Sequence, residues 1–216
     1  MDIEAARQQM IHQQVRAWDV LDPAVLEVLG RVPRERFVPA AFAALAFADT
    51  EIPLPAGQSM LAPKIHGRIL QAVDLRAGET VLEVGAGSGY LTACLAALGG
   101  QVTTLEIEPE LAKLATDNLR ATGHTGVQVF GADATRYTPT QRFDAVVLTA
   151  SLPEYDPRYA DWLRIGGRMF AVVGDTEPMA ALKITRAGER DFGRESLFET
   201  VVDPLVHARR PSRFVF

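Results

Sequence analysis

The chain has 216 residues, 48% apolar and 23% charged, with a formal net charge of −5. That is enough for one domain with an appendage and a sizeable core, and it gives no general electrostatic case for a nucleic-acid or anionic-membrane partner. The N-terminus Met1–Gln9 is polar and carries acids, unlike a signal peptide; the apolar stretch Leu91–Leu98 is too short to span a bilayer; and the single cysteine, Cys94, cannot form an internal disulfide, so a cytoplasmic protein is expected.

Two helices come first, one presenting Ile3, Met10, Ile11 and Val15, the other Val25, Leu26, Val28 and Leu29. Pro33 and Pro39 then bracket the short segment Arg34–Val38, and residues 48–63 form a long proline-rich connection of the kind that often carries function. A helix is expected over Pro63–Val73, with proline suited to its first turn. The pattern changes near residue 75, which divides an N-terminal helical extension (1–75) from a core (76–216). In the core, strands are expected at Thr80–Val84, Val102–Glu106, Val127–Phe130, Phe143–Thr149 and Gly167–Val173. Helices are expected at Tyr90–Leu98, from Pro109 to about Ala121, and around Tyr159–Leu163. Apolar strands alternating with helices give a mostly parallel sheet covered on both faces, an α/β Rossmann-like architecture. Two further β-like runs, Ala181–Thr185 and Leu197–Val202, would add an antiparallel edge.

The chemistry collects at the carboxyl ends of the strands, where open α/β sheets bind ligands. Val81-Leu82-Glu83-Val84-Gly85-Ala86-Gly87-Ser88-Gly89-Tyr90 is a strand running into a glycine turn, where Gly85 and Gly87 let backbone approach a ligand closely. Glu106 ends the next strand, followed by Ile107, and a carboxylate there can accept both hydroxyls of a ribose. Asp133, followed by Ala134, is placed to accept from an adenine amine. Glu83 adds negative charge where a pyrophosphate would be repelled but the sulfonium and ammonium of S-adenosylmethionine favoured. A dinucleotide fingerprint would need glycine at position 90, which is tyrosine.

Other candidates carry less. His12, His66, His124 and His207 are scattered without metal-ligand spacing. Cys94 reads as a small buried hydrophobe. Ser88 reads as a helix cap or a backbone contact to the ligand rather than a nucleophile, since no Gly-x-Ser-x-Gly elbow is present. Arg209, Arg210 and Arg213 form a basic cluster that is either a solvated face or a recognition surface for an acidic substrate.

Several segments resemble the protein-L-isoaspartate O-methyltransferases, over most of the chain. Val32-Pro33-Arg34-Glu35-Arg36-Phe37-Val38-Pro39 is similar to that family's V-P-R-x-x-F-V-P element and Ala46-Phe47-Ala48-Asp49 to its A-Y-x-D. Gly57-Gln58-Ser59-Met60-Leu61-Ala62-Pro63 is similar to its G-Q-T-I-S-x-P loop, and Phe143–Ala150 also follows it. The resemblance implies a seven-stranded class I methyltransferase fold with N-terminal helices. It implies S-adenosylmethionine as methyl donor and methylation of the carboxylate of isoaspartyl residues in damaged proteins or peptides.

The chain departs from the family at informative positions. Leu61 stands where the family loop carries serine, and it cannot hydrogen-bond a carboxylate. Ser59 retains a hydroxyl two residues earlier and is the candidate catalytic residue, although positions two apart in extended backbone lie about 6–7 Å from each other. Val202-Asp203-Pro204-Leu205 replaces F-V-P-L, so Asp203 would repel an isoaspartyl carboxylate if it faces the site. Gly131-Ala132-Asp133-Ala134 replaces a Gly-Asp-Gly. Besides isoaspartyl methylation, two readings therefore stay open: a methyltransferase of this fold with another substrate, a small molecule included, and a cofactor-binding protein without the activity. A monomer or weak homodimer is expected, with no metal, nucleic acid or membrane.

Overall fold

The computed structural model describes residues 2–210; Arg213 of the basic cluster lies outside them. Helix α1 (Ile3–Met10) starts at Asp2, whose side chain accepts from Ala5 N–H, and continues through a π-turn and a short 3₁₀ turn to Asp19 in the left-handed conformation. Met10, Ile11 and Val15 are buried as the periodicity suggests, but Ile3, in the first turn, is half exposed. Helix α2 (Pro23–Arg31) is capped by Asp22, which accepts from Ala24 and Val25 N–H, leaving one orphan amide fewer at each of two positions. The bracketed segment after it is one 3₁₀ turn, Arg34–Arg36.

The long connection is more ordered than its prolines suggest. It contains a two-stranded antiparallel ribbon, β1 (Ile52–Pro53) with β2 (Ser59–Met60), joined by a tight turn. Helix α3 (Pro63–Val73) follows with the expected bounds.

The core sheet has β3 (Thr80–Val84), β4 (Gln101–Glu106), β5 (Gln128–Gly131), β6 (Phe143–Leu152), β7 (Leu163–Val173), β8 (Met179–Arg186) and β9 (Phe192–Thr200). They lie in the order β5-β4-β3-β6-β7-β8-β9. The first five pair in parallel, and β8 and β9 add the antiparallel edge. Helix α4 (Tyr90–Ala97) joins β3 to β4, α5 (Pro109–Ala121) joins β4 to β5, and α6 (Pro157–Asp161) precedes β7. Residues 162 and 163, expected at the end of that helix, instead turn into β7.

Strand alternation sorts the core into two layers, since successive side chains point to opposite faces. Val81, Ala145, Val147, Phe170 and Val172 join α3, α4 and the N-terminal helices in one cluster. Leu82, Val84, Val146, Leu148, Met169 and Ala171 join Tyr159 and Trp162 in the other. The first layer runs unbroken from Met10 to Val202, across the division at residue 75. The second is covered more thinly than expected: residues 132–142 between β5 and β6 contain no helix, and Tyr137 closes that face by packing edge-on against Trp162.

Candidate active site

The chain runs from β3 outward to β5 and then returns to place β6 on the other side of β3. This reversal opens a crevice beyond the strand ends. The cleft found there is lined by the glycine turn Gly85–Ser88, by Glu106 and Ile107 after β4, by Ala132 and Ala134 after β5, and by Thr149 and Ala150 of β6. The loop residues Gln58–Leu61, His66 of α3, and Asp203 and Leu205 of the C-terminal segment complete it.

Two glycines are required by geometry. Gly85 has φ +92°, and a Cβ there would lie 2.2 Å from Thr149 Oγ1; Gly89 has φ +85° and meets the Ala115 backbone of α5 at 3.2 Å. A side chain at the first would fill the crevice floor, and one at the second would push α5 away. Glu106, nearly fully buried, fixes the turn from the neighbouring strand. Its Oε2 accepts from Gly87 N–H at 2.9 Å and its Oε1 from Glu108 N–H at 3.1 Å. Each oxygen keeps a second lone pair for a ligand hydroxyl. Ser88 accepts from Tyr90 N–H through Oγ at a long 3.4 Å, and its carbonyl accepts from Asn118 Nδ2; the N-cap of α4 itself is Gly89.

Two expected ligand carboxylates are turned away from the cleft. Glu83 lies in β3 between Thr104 and Val147 of the neighbouring strands. Alternation points it into the α4 layer, opposite to Val84, which does line the cleft. It is fully buried, Oε2 accepts from Thr92 Oγ1 at 2.5 Å, and Oε1 has no partner. Burial pushes its carboxyl up to about 7, against hydrogen bonding by Thr92 and the nearby Thr104 hydroxyl. The Thr104 Oγ1 contact falls outside hydrogen-bond geometry, so we assign Glu83 one firm bond, to Thr92.

Asp133 is the second. Its Oδ1 accepts from Thr135 N–H and Oγ1, and Oδ2 meets His207 Nδ1 at 3.0 Å. Burial alone would raise this carboxyl, but the Thr135 and His207 bonds hold it below the usual carboxylate range. The residues that face the cleft at this place are its neighbours Ala132 and Ala134. An Asx turn after the strand consumes the carboxylate locally, which spacing alone does not reveal.

On the substrate-facing side, Ser59, Leu61 and Asp203 all line the cleft. Asp203 is brought in because the segment pairs with the end of β6: Ser151 N–H donates to Asp203 O and Leu205 N–H to Ser151 O, both at 2.8 Å. Glu51, beside β1, is held above its ordinary value by partial burial and then by the like charge of Asp203. Of these two acids, Asp203 is the one that lines the cleft.

Two residues that the sequence does not single out as site residues, Arg34 and His66, meet beside the cleft. Arg34 is wholly buried. It donates to Ala46 O at 2.9 Å, to Leu61 O at 2.8 Å and, through Nη1, to His66 Nδ1 at 3.1 Å. Its guanidinium also stacks 4.9 Å from the Tyr90 ring. The signal was available in part: Arg34 sits within the V-P-R element and His66 follows the loop by three residues. Their meeting is tertiary. Cys94 is buried, as expected, and its thiol is pushed up to about 12 by that burial. Arg209 and Arg210 are exposed. Among the described residues no group of three or more His, Cys, Asp or Glu could hold a metal ion, and no helix is long and apolar enough to cross a membrane.

Comparison with known proteins gives a consistent result. Residues 5–209 match a family model described as protein-L-isoaspartate(D-aspartate) O-methyltransferase. A protein-L-isoaspartate O-methyltransferase of Rhodopseudomonas palustris is 38% identical over 201 residues, covering 92% of each chain. One of Methanoculleus marisnigri is 35% identical over 196 residues, covering 90% of this chain and 86% of the relative. A Plasmodium falciparum structure described as a protein-L-isoaspartate O-methyltransferase in complex with S-adenosyl-L-homocysteine superposes with TM-score 0.80. It is 18% identical, with 92% of this chain and 97% of that one covered, and is similar in fold.

Proposed function

The chain belongs to the protein-L-isoaspartate(D-aspartate) O-methyltransferase family, and from that premise we propose that its cleft holds S-adenosylmethionine and an isoaspartyl carboxylate side by side. The chain is an S-adenosylmethionine-dependent O-methyltransferase, and its substrate is an isoaspartyl residue of a protein or peptide. The observation that carries the reading is the Gly85–Glu106 cradle. A ligand can approach bare backbone at Gly85, where a Cβ would collide with Thr149, while a carboxylate already bonded to the turn lies ready for two hydroxyls.

The residues present fit the cofactor. Glu106 would take the ribose, Gly85–Ser88 would pack against the amino-acid portion, and Ile107, Ala132, Ala134 and Leu205 would enclose the adenine, whose amine has no carboxylate at position 132. Glu83 would act from behind the turn rather than by contact, and Asp133 would shape the rim. When bound, S-adenosylmethionine supplies a methyl group on a sulfonium centre. The nucleophile is already an anion, so no side chain need remove a proton. The protein's work is to position the carboxylate in line and to exclude water, so that a charge-neutralising transition state forms in a dry site. Ser59 is the hydroxyl of the loop that can orient the carboxylate.

A second reading rests on Leu61 and Asp203. An apolar group and an acid at the mouth suit a neutral nucleophile, or a substrate with a positive charge beside its nucleophile, better than a carboxylate. Adding S-adenosylhomocysteine to the protein tests the cofactor assignment. A ligand that binds only the folded state at one hundred times its Kd stabilises it by about 2.7 kcal/mol, a clear rise in Tm. An unchanged Tm at saturating ligand refutes the cradle.

A further inference from the structure

We infer that Arg34 is a positioning residue for the cleft: it fixes His66 as the neutral tautomer with its proton on Nε2, so that α3 presents a hydrogen-bond donor to the bound carboxylates. Arginine donates and never accepts. Nη1 of Arg34 lies 3.1 Å from His66 Nδ1, so Nδ1 must carry the lone pair and Nε2 the proton. Protonation would set two donors face to face. Burial, and then the Arg34 charge, hold the imidazole well below its ordinary value, which agrees with that geometry.

The cost of this arrangement argues against a casual contact. A fully buried guanidinium without a carboxylate partner is expensive unless hydrogen-bonded. Arg34 is compensated by three acceptors and the Tyr90 face, and two of the three acceptors, Leu61 O and His66 Nδ1, belong to residues lining the cleft. Tyr90 packs edge-on against both His66 at 5.1 Å and Phe37 at 5.6 Å. The His66 ring is therefore held between Arg34 and Tyr90, the Ala62 backbone also reaches it, and His66 lines the cleft. The other titratable or charged groups around it are Tyr90 and Cys94 of α4, and Glu106 and Asp203 elsewhere along the cleft lining. The carboxylate that takes the donor belongs either to the methionine end of the cofactor or to the substrate.

The inference rests on the cleft being the methyl-transfer site, but its first test does not. Nitrogen-15 NMR of the histidine-labelled full-length protein, with His66→Leu used to assign the resonance, should show a pyridine-type Nδ1 and a pyrrole-type Nε2 from pH 5.5 to 8. A proton on Nδ1, or an imidazolium in that range, overturns the proposal whatever the activity. Arg34→Lys keeps the charge but can reach only some of the acceptors. It should mix the tautomers and weaken either S-adenosylhomocysteine binding or the peptide KM by tenfold or more, the affected constant identifying the carboxylate. In a His66→Leu background the same substitution should change that constant threefold or less. An equal loss in both backgrounds, or no loss in either, contradicts action through His66. Should Arg34→Lys fail to fold, the wild-type tautomer decides the matter alone.

Discussion

Gly85→Ala probes the crevice floor with a single methyl group. The new Cβ would stand 2.2 Å from Thr149 Oγ1, far inside contact distance, so the threonine must rotate. Rotation breaks the hydroxyl's shared bond to Val84 O and Gly85 O, both at 2.9 Å, at a cost of about 1 kcal/mol. A φ of +92° at a residue with a side chain adds roughly 1–3 kcal/mol of backbone strain. The sum predicts destabilisation of about 2–4 kcal/mol in urea unfolding, with a parallel loss of S-adenosylhomocysteine affinity by calorimetry. Thr149→Ala alone should cost about 1 kcal/mol. The double variant should be no less stable than Gly85→Ala, because the collision and the lost bond are the same event. Additive costs in the double variant, or a Gly85→Ala variant within about 0.5 kcal/mol of wild type, would refute the close-approach argument.

Three further outcomes are expected. Glu106→Gln leaves one acceptor for the two amides of Gly87 and Glu108, so S-adenosylhomocysteine should bind about 10–100-fold more weakly, corresponding to roughly 1.5–3 kcal/mol for a charged hydrogen bond; affinity within twofold would remove Glu106 from the site. Glu83, raised in the folded state from 4.5 to about 7, binds more protons folded than unfolded between those values, so its contribution falls as pH rises through that window, by on the order of 3 kcal/mol. Glu83→Gln should flatten unfolding free energy against pH there, and an unaltered profile would show that another group titrates. Leu61→Ser should increase methyl transfer to an isoaspartyl peptide several-fold through KM, whereas an unchanged rate would show that Ser59 or another group already orients the carboxylate.

The strands were legible because a parallel sheet buried on both faces leaves apolar runs, and the helices because prolines and glycines mark their ends; α3 and α5 came out residue for residue. The ribbon of Ile52–Pro53 with Ser59–Met60 was hidden because two-residue strands leave no period. Which carboxylates reach the cleft was not legible either. Glu83 and Val84 are adjacent in β3, and only the layer each one faces separates a buried acid from a wall of the site. Asp133 stands at the right strand end, but Thr135, two residues on, and the distant His207 claim its oxygens. Arg34 and His66 are thirty-two residues apart, and each looks ordinary until α3 lies beside the 3₁₀ turn. The departures at Leu61 and Asp203 were visible, and both residues do line the cleft.

The central question is whether a cleft with a sound cradle and an altered mouth still accepts an isoaspartyl carboxylate. Transfer of a labelled methyl group to an isoaspartyl peptide, measured beside its aspartyl twin, answers this directly. The account predicts label in the isoaspartyl peptide as a base-labile ester and none in the twin. Tight binding of S-adenosylhomocysteine with no label in either peptide would contradict it and turn attention to a nucleophile of different charge.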